Sequence, residues 1–127
     1  MGAEVARRAL LTLTLALWVG AAGPARAVPP QDEREIQALI AALAASPCRF
    51  ERNGSWYGGK RAAAHLQRKY DHLRERDPAT TPETFIANAA SRSSISGRAY
   101  RVACPGQPER DAGTWFSERL RAQRAAP

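Results

Sequence analysis

The chain has few of the residues that build redox and metal sites. It contains two cysteines and two histidines in 127 residues. Cys48 and Cys104 stand far apart, so the CxxC motif of thiol redox proteins is absent. On a helix, His65 and His72 would lie about 10 Å apart, which is too far to chelate one metal ion. The sequence therefore predicts no metal and no cofactor.

Two further motifs are missing. The sequence contains neither the GxSxG turn nor the SxxK pair that present a nucleophilic serine. Its longest apolar run, residues 9–19, is shorter than the roughly 20 residues that a membrane-spanning helix needs. The common serine-hydrolase motifs and a retained membrane anchor are therefore not expected.

The N-terminus instead has the three regions of an export signal. Arg7 and Arg8 precede the apolar run, and a stretch of small residues ends in Ala25-Arg26-Ala27. We predict a signal peptide over residues 1–27, cleaved after Ala27, and a single exported domain over residues 28–127. General secretion fits better than the twin-arginine route, since residues 9–11 match the latter poorly. The mature protein is expected in the periplasm or outside the cell, without a stable membrane anchor.

In an oxidising compartment, the two cysteines are expected to form a disulfide, and only one pairing is available. A Cys48–Cys104 disulfide would close a loop of about 57 residues, which stabilises the fold by roughly 4 kcal/mol in the chain-entropy model. Two free thiols or half of a metal site are the alternatives. The disulfide is the interpretation that the compartment favours.

Apolar periodicity predicts two helices with a hairpin between them. In the first helix, Asp32 is the expected cap and Glu35 its capping-box partner, and Pro47 ends the element. A hairpin over residues 48–57 turns at Asn53-Gly54. The second helix covers residues 60–76. The buried stripes of the two helices are Ile36, Leu39, Ile40 and Leu43 in the first, and Ala62, Leu66, Tyr70 and Leu73 in the second.

The second half predicts two more helices and one strand. Thr81 caps a third helix, a serine-rich loop follows, and residues 98–104 alternate as a strand. Thr114 caps a fourth helix, and residues 121–127 are expected to fray. The fold class is α+β: a small single domain of about four helices, a short β-hairpin and one further antiparallel strand. Apolar residues expected in the third and fourth helices are Phe85, Ile86, Ala89, Ala90, Trp115, Phe116 and Leu120.

Several segments resemble a known family. These are residues 46–54, 64–69, 85–87 and 90–100, followed by Trp115-Phe116, in that order. Together they resemble a family of small exported bacterial proteins that is classified as a domain of unknown function. The resemblance covers nearly the whole mature chain and implies one exported domain, but no activity.

The candidate site combines the second helix with the serine-rich loop. His65 and Lys69 lie on one flank of that helix, a turn apart. Hydroxyls, cationic side chains and a glycine are the components of an anion cradle. The predicted ligand-binding residues are His65, Lys69, Arg92, Ser93, Ser94, Ser96 and Arg98. Ordinary solvated charge on Lys69, Arg92 and Arg98 is the competing interpretation.

This surface predicts a non-enzymatic binding module whose partner is an anionic envelope component or a protein. The alternative is a small envelope hydrolase that uses a serine of residues 91–96 with His65 as base. Nucleic acid is not an expected partner, because of the compartment and because acidic residues alternate with the arginines, as in Glu51-Arg52 and Glu118-Arg119. Trp56 and Tyr57 either stack on a ligand or cover the core.

Overall fold

The structure is a computed structural model that describes residues 14–17, 20 and 27–127. Most of the predicted signal segment, including its arginine pair, lies outside the described residues. Within the described part of the chain, no helix is both long and apolar enough to cross a membrane. The domain begins with helix α1 at Pro30, three residues beyond the predicted cleavage position.

Helix α1 spans Pro30–Ala45 and buries the predicted stripe of Ile36, Leu39, Ile40 and Leu43. The prediction that Asp32 caps this helix is wrong. Pro29 occupies the cap position without a side-chain hydrogen bond, and Pro30 supplies the first helical residue. Proline suits this place because its fixed φ matches the helix and the first N–H has no partner there. Asp32 therefore lies in the first turn, where it meets the positive end of the helix dipole.

The predicted hairpin is present as β1 (Arg49–Arg52) and β2 (Ser55–Gly58). Its two turn residues both adopt positive φ, 50° at Asn53 and 84° at Gly54, as a tight two-residue turn requires. Phe50 pairs with Tyr57 across the hairpin, so both side chains share one face of the sheet.

Strand β3 (Arg101–Ala103) runs antiparallel to β1 and confirms the predicted third strand in a shorter form. A fourth strand, β4 (Arg110–Asp111), completes a sheet of order β2-β1-β3-β4. Two residues are too few to show alternation, so β4 could not be predicted from periodicity.

Helix α2 spans Gly59–Arg76, within one residue of its predicted start. Thr81 caps the short helix α3 (Pro82–Phe85) as predicted, and its hydroxyl accepts from the Thr84 amide at 3.1 Å. The chain continues through a π-helical turn over Ile86–Ala90. The Ser91 hydroxyl donates to the Ile86 carbonyl at 2.6 Å, which satisfies one of the acceptors that the turn leaves open.

Helix α4 spans Ala112–Ala125, which corrects two predictions. It begins after Asp111, so Thr114 is not its cap. The expected frayed tail is helical through Ala125, because Arg124 forms ion pairs with Glu35 and Glu83 on two other helices. Such tertiary pairs cannot be deduced from local composition.

The disulfide Cys48–Cys104 is formed, with Cα atoms 4.1 Å apart. Arg49 and Ala103, the neighbours of the two cysteines, are paired across β1 and β3. The bond therefore joins adjacent strands at one end of the sheet, as expected.

The core lies between the helices and one face of the sheet, which confirms an α+β fold. Tyr70 packs edge-on against Phe85 with centroids 5.6 Å apart, and Phe85 contacts Phe116 at 6.5 Å. On the sheet side, Phe50 and Tyr100 pack with centroids 5.0 Å apart. Three helices and the sheet thus share one aromatic core that fixes where α2 sits.

Candidate functional site: a basic cluster between the hairpin and helix α2

The buried stripe of α2 has a basic flank. Ala62, Leu66 and Tyr70 are buried against the core. Arg61, His65, Arg68 and Lys69 follow one another at spacings of three, four or one residue, which places them along one side of the helix. The stripe that anchors α2 therefore also fixes the direction of this basic flank.

The hairpin brings a further arginine to the same place. Arg52 lies two residues beyond Phe50 on β1, so it shares the inner face of the sheet with Phe50 and Tyr57. Its guanidinium lies 5.2 Å from the centroid of the Tyr57 ring, and that of Arg61 lies 5.0 Å from the same centroid. We call Arg52, Arg61, His65, Arg68 and Lys69 the basic cluster.

Arg52 also contacts His65 directly. One guanidinium nitrogen lies 3.1 Å from His65 Nδ1. The same nitrogen lies 3.3 Å from Nε2, which is also 3.4 Å from the Tyr100 hydroxyl, so the ring is held between Arg52 and Tyr100. Burial and the nearby Arg52, Lys69 and Arg68 charges lower the pKa of His65 to about 4. The ring is therefore neutral at pH 7.

Lys69 holds the serine-rich loop against α2. Its ammonium donates to the Arg92 carbonyl at 2.9 Å and to the Tyr100 hydroxyl at 3.1 Å. Burial, and then the charge of Arg52, lower the pKa of Lys69 to about 8. The lysine stays mostly protonated at pH 7, in surroundings that disfavour its charge.

The basic cluster has no acidic partner in the described part of the chain. Arg52, Arg61, Arg68 and Lys69 form no ion pair there, and the charges that shift the pKa of His65 are all positive. Arg52 lowers the pKa of the Tyr57 phenol as well. Like charges held together in this way repel one another, and a bound anion would relieve that repulsion.

Within the serine-rich loop, Ser93 is a structural residue. It is buried, and its hydroxyl accepts from the amides of Ile95 at 3.3 Å and Ser96 at 3.2 Å. The Asn53 side chain also donates to it at 3.2 Å, and Asn53 accepts from the Ser96 hydroxyl at 2.7 Å. The hairpin tip is thereby fixed to the loop, and the hydroxyls of Ser93 and Ser96 are occupied by these bonds.

The other predicted loop residues are more open. Ser94, Arg92 and Arg98 are exposed. Ser94 lines a depression of about 470 Å³ together with Lys69 and His72. Arg92 lines a separate depression on the other side, beside Gly97.

The predicted site residues are thus brought together in part. His65 and Lys69 meet at Tyr100, and Lys69 touches the backbone of Arg92. The hydrogen-bond partners of His65 among residues 27–127 are Arg52 and Tyr100, not a serine. A serine nucleophile needs its base within about 3 Å, so this geometry lacks the contact that the hydrolase alternative requires.

Sequence reasoning missed Arg52, Arg61 and Arg68 as members of the basic cluster. The helical spacing from Arg61 to Arg68 was a usable signal. For Arg52, the signal was its alternation with Phe50 on the hairpin. No group of three or more metal-ligating side chains occurs among the residues that the structure covers. The prediction that no cofactor is bound stays a prediction.

Comparisons with known proteins give a family without adding an activity. Residues 30–124 match the model of the family of unknown function DUF5329. The chain is 36% identical over 91 residues to the uncharacterized protein YfeK of Salmonella typhimurium, and the alignment covers 71% of this chain and 68% of that protein. No solved structure matches. The chain belongs to the family of unknown function DUF5329, as its segment pattern predicted.

Proposed function

We propose that the protein is an exported, non-enzymatic binding module that recognises an anionic envelope component through its basic cluster. The observation that carries the proposal is that Arg52, Arg61 and Arg68 line one recess between the hairpin and α2, with Lys69 beside it on the same helix. None of the four has a carboxylate partner in the described part of the chain. The N-terminal signal pattern and the disulfide support export.

The cluster differs from ordinary surface charge in how it is held. Lys69 is tied to Tyr100 and Arg92, and Arg52 is tied to His65. Tyr57 lies under two guanidinium groups. Side chains that are already ordered lose little conformational entropy when a ligand arrives, so their charge is available for binding.

Retention on immobilised heparin, used as a generic polyanion, tests the proposal. We expect the disulfide-bonded protein to bind at low salt and elute as salt rises, because screening weakens ionic contacts. Arg52→Gln should elute at distinctly lower salt than wild type. Arg110→Gln, the matched control, removes an arginine that is already paired with Glu118 and should change elution little. An equal decrease in the eluting salt concentration for both variants would mean that the basic cluster binds no better than ordinary surface charge.

The hydrolase alternative has its own test. A fluorophosphonate probe labels serines that a nearby base activates. We expect no labelling, since the ring of His65 faces Arg52 and Tyr100. Labelling that disappears in Ser94→Ala, the serine with the most open hydroxyl of the loop, would replace the binding proposal with an enzymatic one.

Export is tested by cell fractionation and N-terminal sequencing. We expect the mature protein outside the cytoplasm, with Val28 as its first residue. An uncleaved protein that is found in the cytoplasm would contradict an envelope ligand.

A further inference from the structure

A small cavity lies inside the basic cluster. It has a volume of about 80 Å³, small beside the depression of about 470 Å³ that Ser94 lines. Its floor is apolar, formed by Phe50 and Ala62, which are 1% and 2% exposed. Its walls carry the polar side chains. This is therefore a confined recess with a rigid base.

The walls of the cavity bring donors from separate elements. Arg52 arrives from β1, and Arg61, His65 and Arg68 arrive from successive turns of α2. Tyr57 closes the β2 side. Arg61 and Arg68 start about 10 Å apart along the helix, at 1.5 Å of rise per residue. Their guanidinium groups therefore reach the recess from different directions.

This arrangement selects among anions by shape and charge. A planar carboxylate is satisfied by a single arginine fork, which leaves the other guanidinium groups repelling one another. A tetrahedral oxyanion directs its oxygens to several sides and, as a phosphate monoester, carries up to two negative charges. Three arginines around one recess therefore match a tetrahedral oxyanion better than a carboxylate.

We propose that this cavity binds one phosphate group, either of a free phosphate or of an exposed phosphomonoester in the envelope. The inference rests on the proposed function and deepens it, since it names the anion and the position it takes. Arg52 and Arg68 would bind the phosphate oxygens, and Arg61 would close the site above Tyr57.

Isothermal titration of the disulfide-bonded protein with inorganic phosphate tests the inference, with sulfate and acetate as comparisons. We expect saturable binding of one phosphate per chain, and weaker binding of acetate. Arg61→Gln should weaken phosphate binding about tenfold or more, the size expected for the loss of a charge-assisted hydrogen bond. Arg61 is exposed, so the variant should fold, and Arg110→Gln is the charge-matched control.

Two outcomes would overturn the inference: no saturable phosphate binding, or an equal loss in Arg61→Gln and Arg110→Gln. Acetate binding as tight as phosphate binding would overturn the tetrahedral assignment. Retention on heparin without phosphate binding would contradict the phosphate site in the cavity and leave the proposed function unchanged. Loss of both heparin retention and phosphate binding would contradict both proposals.

A second arm separates the sources of the phosphate. Vesicles of phosphatidylcholine are compared with vesicles that also contain phosphatidic acid, which exposes a phosphomonoester. Sedimentation only with phosphatidic acid, reversed by inorganic phosphate, assigns a lipid headgroup. Phosphate binding without sedimentation assigns a soluble source.

Discussion

Arginine has opposite roles in two regions of this protein. In the C-terminal region, residues 101–125, Arg101 pairs with Glu109 and Asp111, and Arg124 pairs with Glu35 and Glu83. Between the hairpin and α2, Arg52 and Arg61 of the basic cluster meet tyrosine and histidine rings in place of carboxylates. The first region uses arginine to join elements, while the second holds positive charge without neutralising it.

The comparison shows that net charge alone is a poor guide to a binding surface. The chain carries a formal charge of +7. Paired arginines contribute little to the field that a ligand meets, because their carboxylates cancel them at short range. The basic cluster has no such cancellation among the described residues. Burial first, and the neighbouring positive charges second, lower the pKa values of His65 and Lys69.

The largest expected effect comes from the disulfide. The bond encloses the basic cluster and the serine-rich loop, while α4 lies outside it. Cys104→Ser should lower the free energy of unfolding by roughly 4 kcal/mol, the chain-entropy value for a loop of this size. Thermal unfolding and hydrogen exchange should show the hairpin losing protection before α4. An unchanged melting temperature on reduction would contradict a structural role.

A smaller effect is expected where α2 begins. A Cβ at Gly59 would lie 2.3 Å from the Leu43 carbonyl oxygen, whereas a Cβ at Gly58 meets nothing within 4 Å. Gly59→Ala should therefore cost about 1–3 kcal/mol by overpacking and displace the basic flank of α2, and Gly58→Ala should be nearly neutral. Chemical denaturation checks both variants. Equal stabilities would mean that α1 and α2 pack less closely than described.

Removing an arginine should change stability in opposite directions in the two regions. Arg124→Gln breaks two partly exposed ion pairs and should cost up to about 1 kcal/mol. Arg68→Gln removes the repulsion between Arg68 and the other arginines of the basic cluster, and should stabilise the fold by a few tenths of a kcal/mol. Urea unfolding at low ionic strength measures both. A loss of stability in Arg68→Gln would indicate an acidic partner for the cluster.

His65 makes the stability of the fold depend on pH. Its pKa is about 4 in the fold and about 6.5 in the unfolded chain. The unfolded chain therefore binds a proton first, and stability falls as the pH drops from about 6.5 to 4. The groups that face the ring are Arg52, Arg68, Lys69 and Tyr100.

His65→Gln should flatten this part of the stability profile, measured by denaturation at several pH values. Added phosphate should raise the pKa of His65 in wild type, because a nearby negative charge favours the imidazolium form. The pKa of the His65 ring is measured by NMR. A pKa that phosphate leaves unchanged would show that the anion binds away from His65.

The fold was largely predictable because its signals are local. Helical stripes such as Leu39 and Leu43, and the Asn53-Gly54 turn, are set by periodicity and by backbone preference. The ends of α1 and α4 were not, since Asp32 and Thr114 have the chemistry of caps while the chain begins each helix earlier. Pro30 begins α1, and α4 begins directly after β4, so a residue with the chemistry of a cap does not by itself fix where a helix starts.

Only part of the basic cluster could be predicted, since the side chains of residues that are adjacent in the sequence can point to opposite faces of an element. Glu51 and Arg52 point to opposite faces of β1, so the glutamate does not neutralise the arginine of the cluster. Glu118 pairs with Arg110, and the neighbouring Arg119 lies over Trp115. The contact of Asn53 with Ser93 joins positions that are 40 residues apart, which no local pattern encodes.

Amide NMR with a heparin oligosaccharide tests whether the basic cluster is the anion-binding surface. We expect the largest changes in amide chemical shift on β1, β2 and the side of α2 from Arg61 to Lys69. The amides around Arg110 and Arg124 should keep their chemical shifts. Shifts centred on the C-terminal region, or spread evenly over both regions, would contradict the claim that the unneutralised arginines form the binding surface.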